Sequence, residues 1–433
     1  MHISLTFLVV CSKMYETNWG RMPCVVFWGE RAKSNKSMKI LVVYQHYYPE
    51  PFRLPDICET LVQRGHSVTV VTGTPNYPEG EIYAGYENGK RADEIIRGVR
   101  VHRCPLIPRK TGAFYRLLNY YSFAWSSTWY VHNLKEEFDV VFAHQTSPVM
   151  MSQAAVHWAK RNGKKCVLYC LDQWPESLLA GGIKKNSIIY KFFLRVSRNI
   201  YRRADDILVS SRGFISYFDK VLKLGYKPIQ YLPQYAEDLF DNLPEVTGKK
   251  DQIDFMFAGN VGVLQSVETI VEAARLLGNE SGIHIHIVGG GIALDNCRKL
   301  AEGLTNITFH GRHEVTEMPK FYAMADAMLI TMKDDPVLSS TLPGKVQTYM
   351  AAGKPVVGAI GGETAWLVNE EALCGLCGPA ENAEELAGII RKVASDDELR
   401  VRCGENACRY YQEHFRKEQF FAALEDALQR NCI

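Results

Sequence analysis

The sequence predicts an α/β protein built from two doubly wound, Rossmann-like domains. Three observations lead there. Short runs rich in β-branched residues recur along the chain, with helical patterns between them. The runs show little alternation of apolar and polar residues, as expected of parallel strands buried on both faces. Finally, the runs are too many for one open sheet of ordinary size. A chain of 433 residues also exceeds the roughly 100–200 residues of a single domain.

The elements follow in order. Residues 1–37 contain a short apolar run, ISLTFLVVC at 3–11, with no basic residue before it and no small-residue cleavage pattern after it. Met38 then leads straight into a strand-like run, so 1–37 is expected to be an upstream extension or a misassigned start. The first domain, 38–238, is expected to place strands at 39–44, 67–73, 99–105, 139–144, 165–170 and 206–211. A polar linker near 233–253, with Pro233, Pro244 and Gly248, separates the two halves. The second domain, 239–412, opens with a strand at 255–260. In the helix after it, Leu264, Val267, Ile270, Val271, Ala274 and Leu277 share one face, with Ser266 as the expected N-cap. Strands at 283–289, 307–311, 327–332 and 354–360 complete that domain. A terminal segment, 413–433, carries a helix over 413–430 that is expected to cross back to the first domain.

Composition narrows the function. Hydrophobic residues make up 47% and charged residues 23%, which excludes a disordered or fibrous chain. No apolar run reaches the roughly 20 residues of a spanning helix. The 12 cysteines lie mostly inside apolar runs and read as buried, reduced thiols. The one CxxC, Cys374–Cys377, has no second ligand pair at zinc spacing, so no metal is expected. The net charge of +2 hides an asymmetry: residues 38–238 hold 27 Lys and Arg against 18 Asp and Glu, and residues 239–433 hold 18 against 28. A basic half without a nucleic-acid motif points to an anionic membrane surface, and no nucleic acid is expected as partner.

Ligands of open α/β folds bind beyond the carboxyl ends of the strands, which directs attention to the residues there. The first strand is followed by no G-x-G-x-x-G, which tells against a dinucleotide. Glu50 and Arg53 stand at that loop-to-helix turn, as ligand contacts or as a surface ion pair. His144 ends the fourth strand, in a ligand-facing or a capping role. The fifth strand ends in Asp172-Gln173-Trp174-Pro175-Glu176. Its two carboxylates can accept sugar hydroxyls with Trp174 as an apolar wall; a capping turn is the alternative. In the second half, Gly259, Asn260, Gly262 and Gln265 lead into a helix, and Gly289-Gly290-Gly291 repeats the device. Glycine-freed amides at a helix start favour an anion. Lys345, just after Pro343-Gly344, offers a compact charge for a phosphate. Gly361-Gly362-Glu363 adds amides and a carboxylate.

The series YYPEPFR, GHSVTVVTGTPNYPEG, LDQWPES, FAGNVGVLQ, PGKVQTYMAAGKPVVGA and GGE resembles glycosyltransferase family 4 over about residues 38–430. It is most similar to the bacterial branch that builds capsule, O-antigen and exopolysaccharide repeats. The resemblance implies the GT-B fold, two Rossmann-like domains facing a cleft, and retaining transfer with no bound metal or other cofactor. It implies a nucleotide-sugar donor, with UDP expected, held by Gly259, Asn260, Gly262, Gln265, Gly289, Gly290, Lys345, Gly362 and Glu363. Asp172 and Lys345 are the expected catalytic residues, and Glu50, Arg53, His144, Trp174 and Glu176 the expected acceptor side. The sequence departs from the wider family at Ser340 and Thr348, where many members carry carboxylates, and at Asn260 and Gln265, where many carry Arg and Lys. Asp172 stands where the family usually has His. Aromatic residues crowd 113–130, and Lys184, Lys185, Lys191, Arg195, Arg198, Arg202 and Arg203 surround IIYKFFLRV. Both features suit a membrane interface. The expectation is a cytoplasmic protein, peripheral on the inner face of the cell membrane, with an undecaprenyl-diphosphate-linked saccharide as acceptor. A nucleotide-sugar epimerase of GT-B fold and a non-catalytic partner that binds polysaccharide precursors are the alternatives.

Overall fold

The computed structural model describes residues 36–432 apart from 111, 181, 246–250 and 279–281. All but the last two residues of the expected 1–37 extension lie outside the described residues. The chain forms two sheets. The N-terminal lobe holds β1 (Lys39–Val43), β2 (Ser67–Gly73), β3 (Asp93–Ile96), β4 (Val99–Cys104), β5 (Val140–Gln145), β6 (Cys166–Cys170), β7 (Asp206–Val209) and β8 (Ile229–Tyr231). Their order is β3-β4-β2-β1-β5-β6-β7-β8, parallel except that β3 runs antiparallel to β4. The C-terminal lobe holds β9 (Ile253–Ala258), β10 (Ile283–Val288), β11 (Ile307–Gly311), β12 (Ala327–Thr331), β13 (Val356–Ala359) and β14 (Gly375–Gly378). They run parallel in the order β11-β10-β9-β12-β13-β14.

Both sheets are doubly wound. Each chain half starts in the middle of its sheet, winds to one edge, then returns to build the other. The reversal leaves a crevice at the carboxyl ends of β1 and β5 in one lobe and of β9 and β12 in the other. The central strands are apolar throughout: Ile40, Leu41, Val42 and Val43 of β1 are fully buried. Three strands lacked a sequence signal, namely β3, β8 and β14. All three lie at or beside a sheet edge, where an apolar run is not required: β3 reads DEII with exposed residues alternating, and β14 reads GLCG. The expected N-cap at Ser266 is not formed. Ser266 takes a left-handed φ of 46° after a short turn, its hydroxyl meets Thr269 Oγ1 at 3.1 Å, and the helix begins at Glu268.

The last helix, Lys417–Arg430, does not stay with the lobe that precedes it. Phe420, Phe421, Leu424, Ala427 and Leu428 are buried in the hydrophobic core of the N-terminal lobe. Its Glu425 accepts two hydrogen bonds from the Arg64 guanidinium, at 2.8 and 3.0 Å, and lies 3.0 Å from His66 Nε2. Burial opposes ionisation there, but His66 and Arg64 hold the carboxyl down at about 2. The ten described cysteines are free, seven of them buried.

Candidate active site

β9 ends in Gly259-Asn260-Val261-Gly262 and β10 in Gly289-Gly290-Gly291. The two strands are parallel neighbours, so both loops leave the sheet side by side. They meet backbone to backbone: the Val261 N–H donates to the Gly290 carbonyl at 2.9 Å, and the Ala293 N–H donates to the Val261 carbonyl at 3.0 Å. Only glycine allows this approach. Gly289 has φ +144°, and a Cβ on it would stand 1.8 Å from the Gly259 carbonyl oxygen. Among the described residues the N–H groups of Gly262 and Gly290 have no hydrogen-bond partner. The Asn260 amide donates to Gln265 Oε1 at 3.1 Å. That neutral pair spans the loop where the wider family pattern carries cations.

Lys345 lies in the first turn of the helix Gly344–Ala351, which follows β12 across the crevice from the glycine loops. The residue is half-buried, but its ammonium end is sealed and has no hydrogen-bond partner among the described residues. Nζ stands 4.0 Å from the centroid of the Phe257 ring. A Cβ on Gly259 would come within 3.0 Å of the same nitrogen. Burial with no carboxylate alongside pulls its pKa down to about 7. The site therefore combines two amides that have no partner among the described residues with a desolvated cation, an arrangement completed by an anion.

The loops after β6 and β7 meet those after β12 and β13, so the carboxyl ends of both sheets face one cleft. Gln173 Nε2 donates to Ser340 Oγ at 2.9 Å, and the Leu342 N–H donates to Ser211 Oγ at 2.8 Å. Glu363 accepts the N–H groups of Arg212 and Gly213, each at 2.8 Å. Arg212 also binds Glu371, with its Nη2 at 3.1 Å. At the N-terminal side of the cleft, Asp172 accepts hydrogen bonds from the hydroxyls of Ser147 and Ser177, the latter at 3.0 Å. Burial pushes the Asp172 carboxyl up, and the two hydroxyls oppose it.

Comparison with known proteins agrees with this geometry. Residues 240–410 match the family described as glycosyl transferases group 1, and residues 53–233 match the glycosyl transferase 4-like domain. The chain is a GT-B glycosyltransferase. It is 28% identical over 289 residues to the probable glycosyltransferase WbjE of Pseudomonas aeruginosa, covering 63% of this chain and 70% of the relative. It is 26% identical over 338 residues to the putative colanic acid biosynthesis glycosyl transferase WcaI of Escherichia coli K12, covering 73% and 82%. Among solved structures, Anabaena HepE in complex with UDP shares the fold at 15% identity, with a TM-score of 0.64, covering 91% of this chain and all of the other. The enzyme thus belongs to bacterial polysaccharide synthesis.

The structure brings Gly259, Asn260, Gly262, Gln265, Gly289, Gly290 and Lys345 of the glycosyltransferase together at one crevice. Other expected contacts are turned to the fold itself. The Glu363 oxygens accept two amides at the start of the helix Gly213–Lys220, where unpaired N–H groups favour a carboxylate. Gly362 sits against Ser339, whose carbonyl oxygen would lie 1.9 Å from a Cβ there. Glu50 is buried and clasps the second loop of its own sheet, accepting from the Asn76 and Tyr77 N–H groups at 2.9 and 2.7 Å. Arg53 pairs with Glu237 and stacks over the Tyr235 ring at 5.0 Å. His144 is a core residue packed 4.8 Å from Tyr44; burial, with Arg53 adding to it, takes its pKa to about 3, so it stays neutral. Trp174 is 4% exposed, edge-on to Tyr120 and Phe193. Glu176 accepts the Tyr190 hydroxyl at 2.6 Å. Sequence reasoning missed Gln173, Arg212 and Ser147 as cleft residues. Gln173 lay inside the motif already singled out, whereas Arg212 and Ser147 carried no signal of their own. Among the described residues no group of three or more His, Cys, Asp or Glu is placed to hold a metal ion.

Proposed function

We propose that this glycosyltransferase takes a sugar from a UDP-sugar and passes it, with retained configuration, to an undecaprenyl-diphosphate-linked saccharide at the inner face of the cell membrane. The observation that carries the donor half is the sealed, unpartnered Lys345 ammonium beside the two glycine loops. The donor diphosphate enters between the loops, accepts the free amides and pairs with Lys345. As the bond from the anomeric carbon to phosphate breaks, charge grows on the departing oxygen, and these groups stabilise it. The acceptor hydroxyl attacks from the same face, and its proton passes to that phosphate oxygen. No strong protein base is needed. Asp172 holds a hydroxyl of the transferred sugar or the acceptor. UDP is favoured over other nucleotides because HepE, which shares the fold, was solved with UDP.

A thermal-shift screen against UDP, GDP and ADP tests the donor. Saturation at 100 times Kd adds about 2.7 kcal/mol of stability. A shift with UDP is expected; a shift with GDP alone overturns the base assignment. The charge neutralisation falls to Lys345 and amides, so turnover is expected to survive excess EDTA. The glycosidic product then shows the donor's anomeric configuration by proton NMR, and an inverted product overturns retention.

The acceptor half rests on the surface of the N-terminal lobe. The helix Ala113–Asn133 presents Phe114, Leu117, Tyr121, Trp125 and Trp129 outward along one side, with Trp125 80% and Trp129 68% exposed. Lys110, just before the helix, holds its ammonium 5.9 Å from the centroid of the Tyr115 ring. No described helix is long and apolar enough to cross a membrane, so this face attaches rather than spans. Trp125→Ser/Trp129→Ser is expected to weaken binding to anionic vesicles roughly tenfold or more in a flotation assay, given ~1.5–3 kcal/mol for burying one large side chain. Unchanged flotation overturns the attachment.

A further inference from the structure

A recess of about 350 Å³ lies outside the cleft, on the N-terminal lobe. Its walls are the later turns of the helix Ile188–Arg203 and the loop 221–226. Arg195, Arg198, Arg202 and Lys223 line it beside Asn199 and Tyr226, and no acidic residue does. Topology separates it from the donor site. The helix connects the parallel strands β6 and β7, so it starts at the carboxyl edge facing the cleft and runs back toward the amino edge. At 1.5 Å per residue, Arg195–Arg202 stand roughly 10–20 Å along it.

Four cations around one recess repel each other unless an anion joins them. Two of them have neutral partners, and none forms an ion pair among the described residues. Arg198 fastens one end only: Nη2 donates to the Val221 carbonyl at 2.8 Å, while its Nε is buried with no hydrogen-bond partner among the described residues. Arg202 reaches Asn199 at 3.5 Å, and Arg195, Arg202 and Lys223 pair with no described carboxylate. Lys223 holds a left-handed φ of 57°, where glycine or asparagine costs less, so the turn alone does not account for a lysine. Asp219 is turned to the backbone of that loop, its carboxylate oxygen 2.4 Å from where a Cβ on Gly225 would stand. One stripe of the helix carries Ile188, Phe192, Arg195, Asn199 and Arg202 at helical spacing, with Ile188 87% and Phe192 51% exposed. Apolar side chains and the cationic recess thus share a face.

We infer that this recess seats the phosphate headgroup of an anionic lipid, with Ile188 and Phe192 entering the apolar layer beside it. The inference rests on the membrane attachment proposed above and deepens it, by naming one headgroup site in place of diffuse charge. Arginine forks match the oxygens of a phosphate, and a neighbouring lysine adds a point charge.

The test uses the full chain and two triple variants. Arg195→Gln/Arg202→Gln/Lys223→Gln empties the recess of its exposed cations, and Lys90→Gln/Lys135→Gln/Lys160→Gln removes the same charge from exposed sites elsewhere. Calorimetry with a soluble short-chain phosphatidic acid is expected to show binding that weakens at least tenfold in the recess variant and stays unchanged in the control variant. Equal losses in both variants, or none in either, overturn the site. Inorganic phosphate binding as tightly as the lipid probe overturns the lipid assignment. Flotation on phosphatidylcholine vesicles carrying phosphatidic acid, or charge-matched oleate, separates the two readings. If the wild type floats on both equally and binds no short-chain lipid, the headgroup site is wrong and attachment stands. If it binds the short-chain lipid through the recess but floats on neither, the site stands and the attachment is wrong.

Discussion

Lys345→Met is expected to cut transfer about 10²–10³-fold while making the unliganded enzyme more stable. The ammonium is desolvated against the Phe257 ring with no hydrogen-bond partner among the described residues, so without donor it is a cost to the fold. Methionine fills similar volume with no charge to bury. At neutral pH the gain is on the order of a few kcal/mol, readable as a higher urea midpoint. The catalytic loss is larger in consequence. Removing one preorganised group that stabilises transition-state charge typically costs 10²–10³-fold, about 2.7–4 kcal/mol. Donor affinity falls as well, because a hydrogen bond to a charged group contributes about 1.5–3 kcal/mol.

The pH dependence of the same residue gives an independent reading. Its folded pKa is lowered from 10.5 to about 7, so between those values the unfolded chain binds more protons than the folded one. Stability of the wild type therefore rises with pH across that window, and the advantage of Lys345→Met shrinks as pH rises. A bound diphosphate restores the charge on the ammonium, so UDP binding above about pH 7 takes up a proton and weakens as pH increases. In the variant that slope disappears. Wild-type UDP affinity that stays flat across this window, or a variant that binds UDP as the wild type does, would remove Lys345 from the donor site.

Legibility in the sequence followed the range of the interaction. The strands from Lys39 and Ile253 were visible because an interior parallel strand needs an unbroken apolar run. The glycine loops were visible because backbone contact admits no other residue, and Lys345 stood out beside a Pro-Gly turn. Glu50, Glu176 and Glu363 stand at strand ends where ligands bind, but the same strand ends leave backbone amides and hydroxyls needing acceptors. Which partner a carboxylate takes depends on residues far off in the chain: Glu50 serves an amide 26 positions away, and Glu363 one 150 positions away. His144 and Trp174 also stand at strand ends, and the aromatic rings they pack against, Tyr44 and Phe193, come from other parts of the chain. Local pattern cannot supply that packing. Ser340 read as a missing carboxylate, whereas the fold uses its hydroxyl to receive Gln173 across the cleft.

Gly289→Ala is expected to cost more than any other single methyl group added to the donor crevice. The new Cβ would lie 1.8 Å from the Gly259 carbonyl oxygen and 2.9 Å from its carbonyl carbon, at a φ of +144° that side-chain-bearing residues rarely adopt. The obstacle is backbone, so no rotamer change relieves it. The loops after β9 and β10 must part, which also draws Gly259 away from the Lys345 ammonium. Strain and lost packing together should exceed ~3 kcal/mol in urea unfolding. Among molecules that remain folded, UDP affinity should drop at least tenfold. Gly303→Ala separates the two causes. Gly303 also holds a positive φ, +81°, but nothing lies within 4 Å of its added Cβ. That variant pays only the left-handed penalty, about 1–2 kcal/mol, and should bind UDP as the wild type does. If the two variants lose equal stability and keep equal UDP affinity, the contact between the glycine loops does not shape the donor site. A selective loss of UDP binding in Gly289→Ala means that the approach of the two backbones, and not glycine flexibility in general, forms the diphosphate cradle.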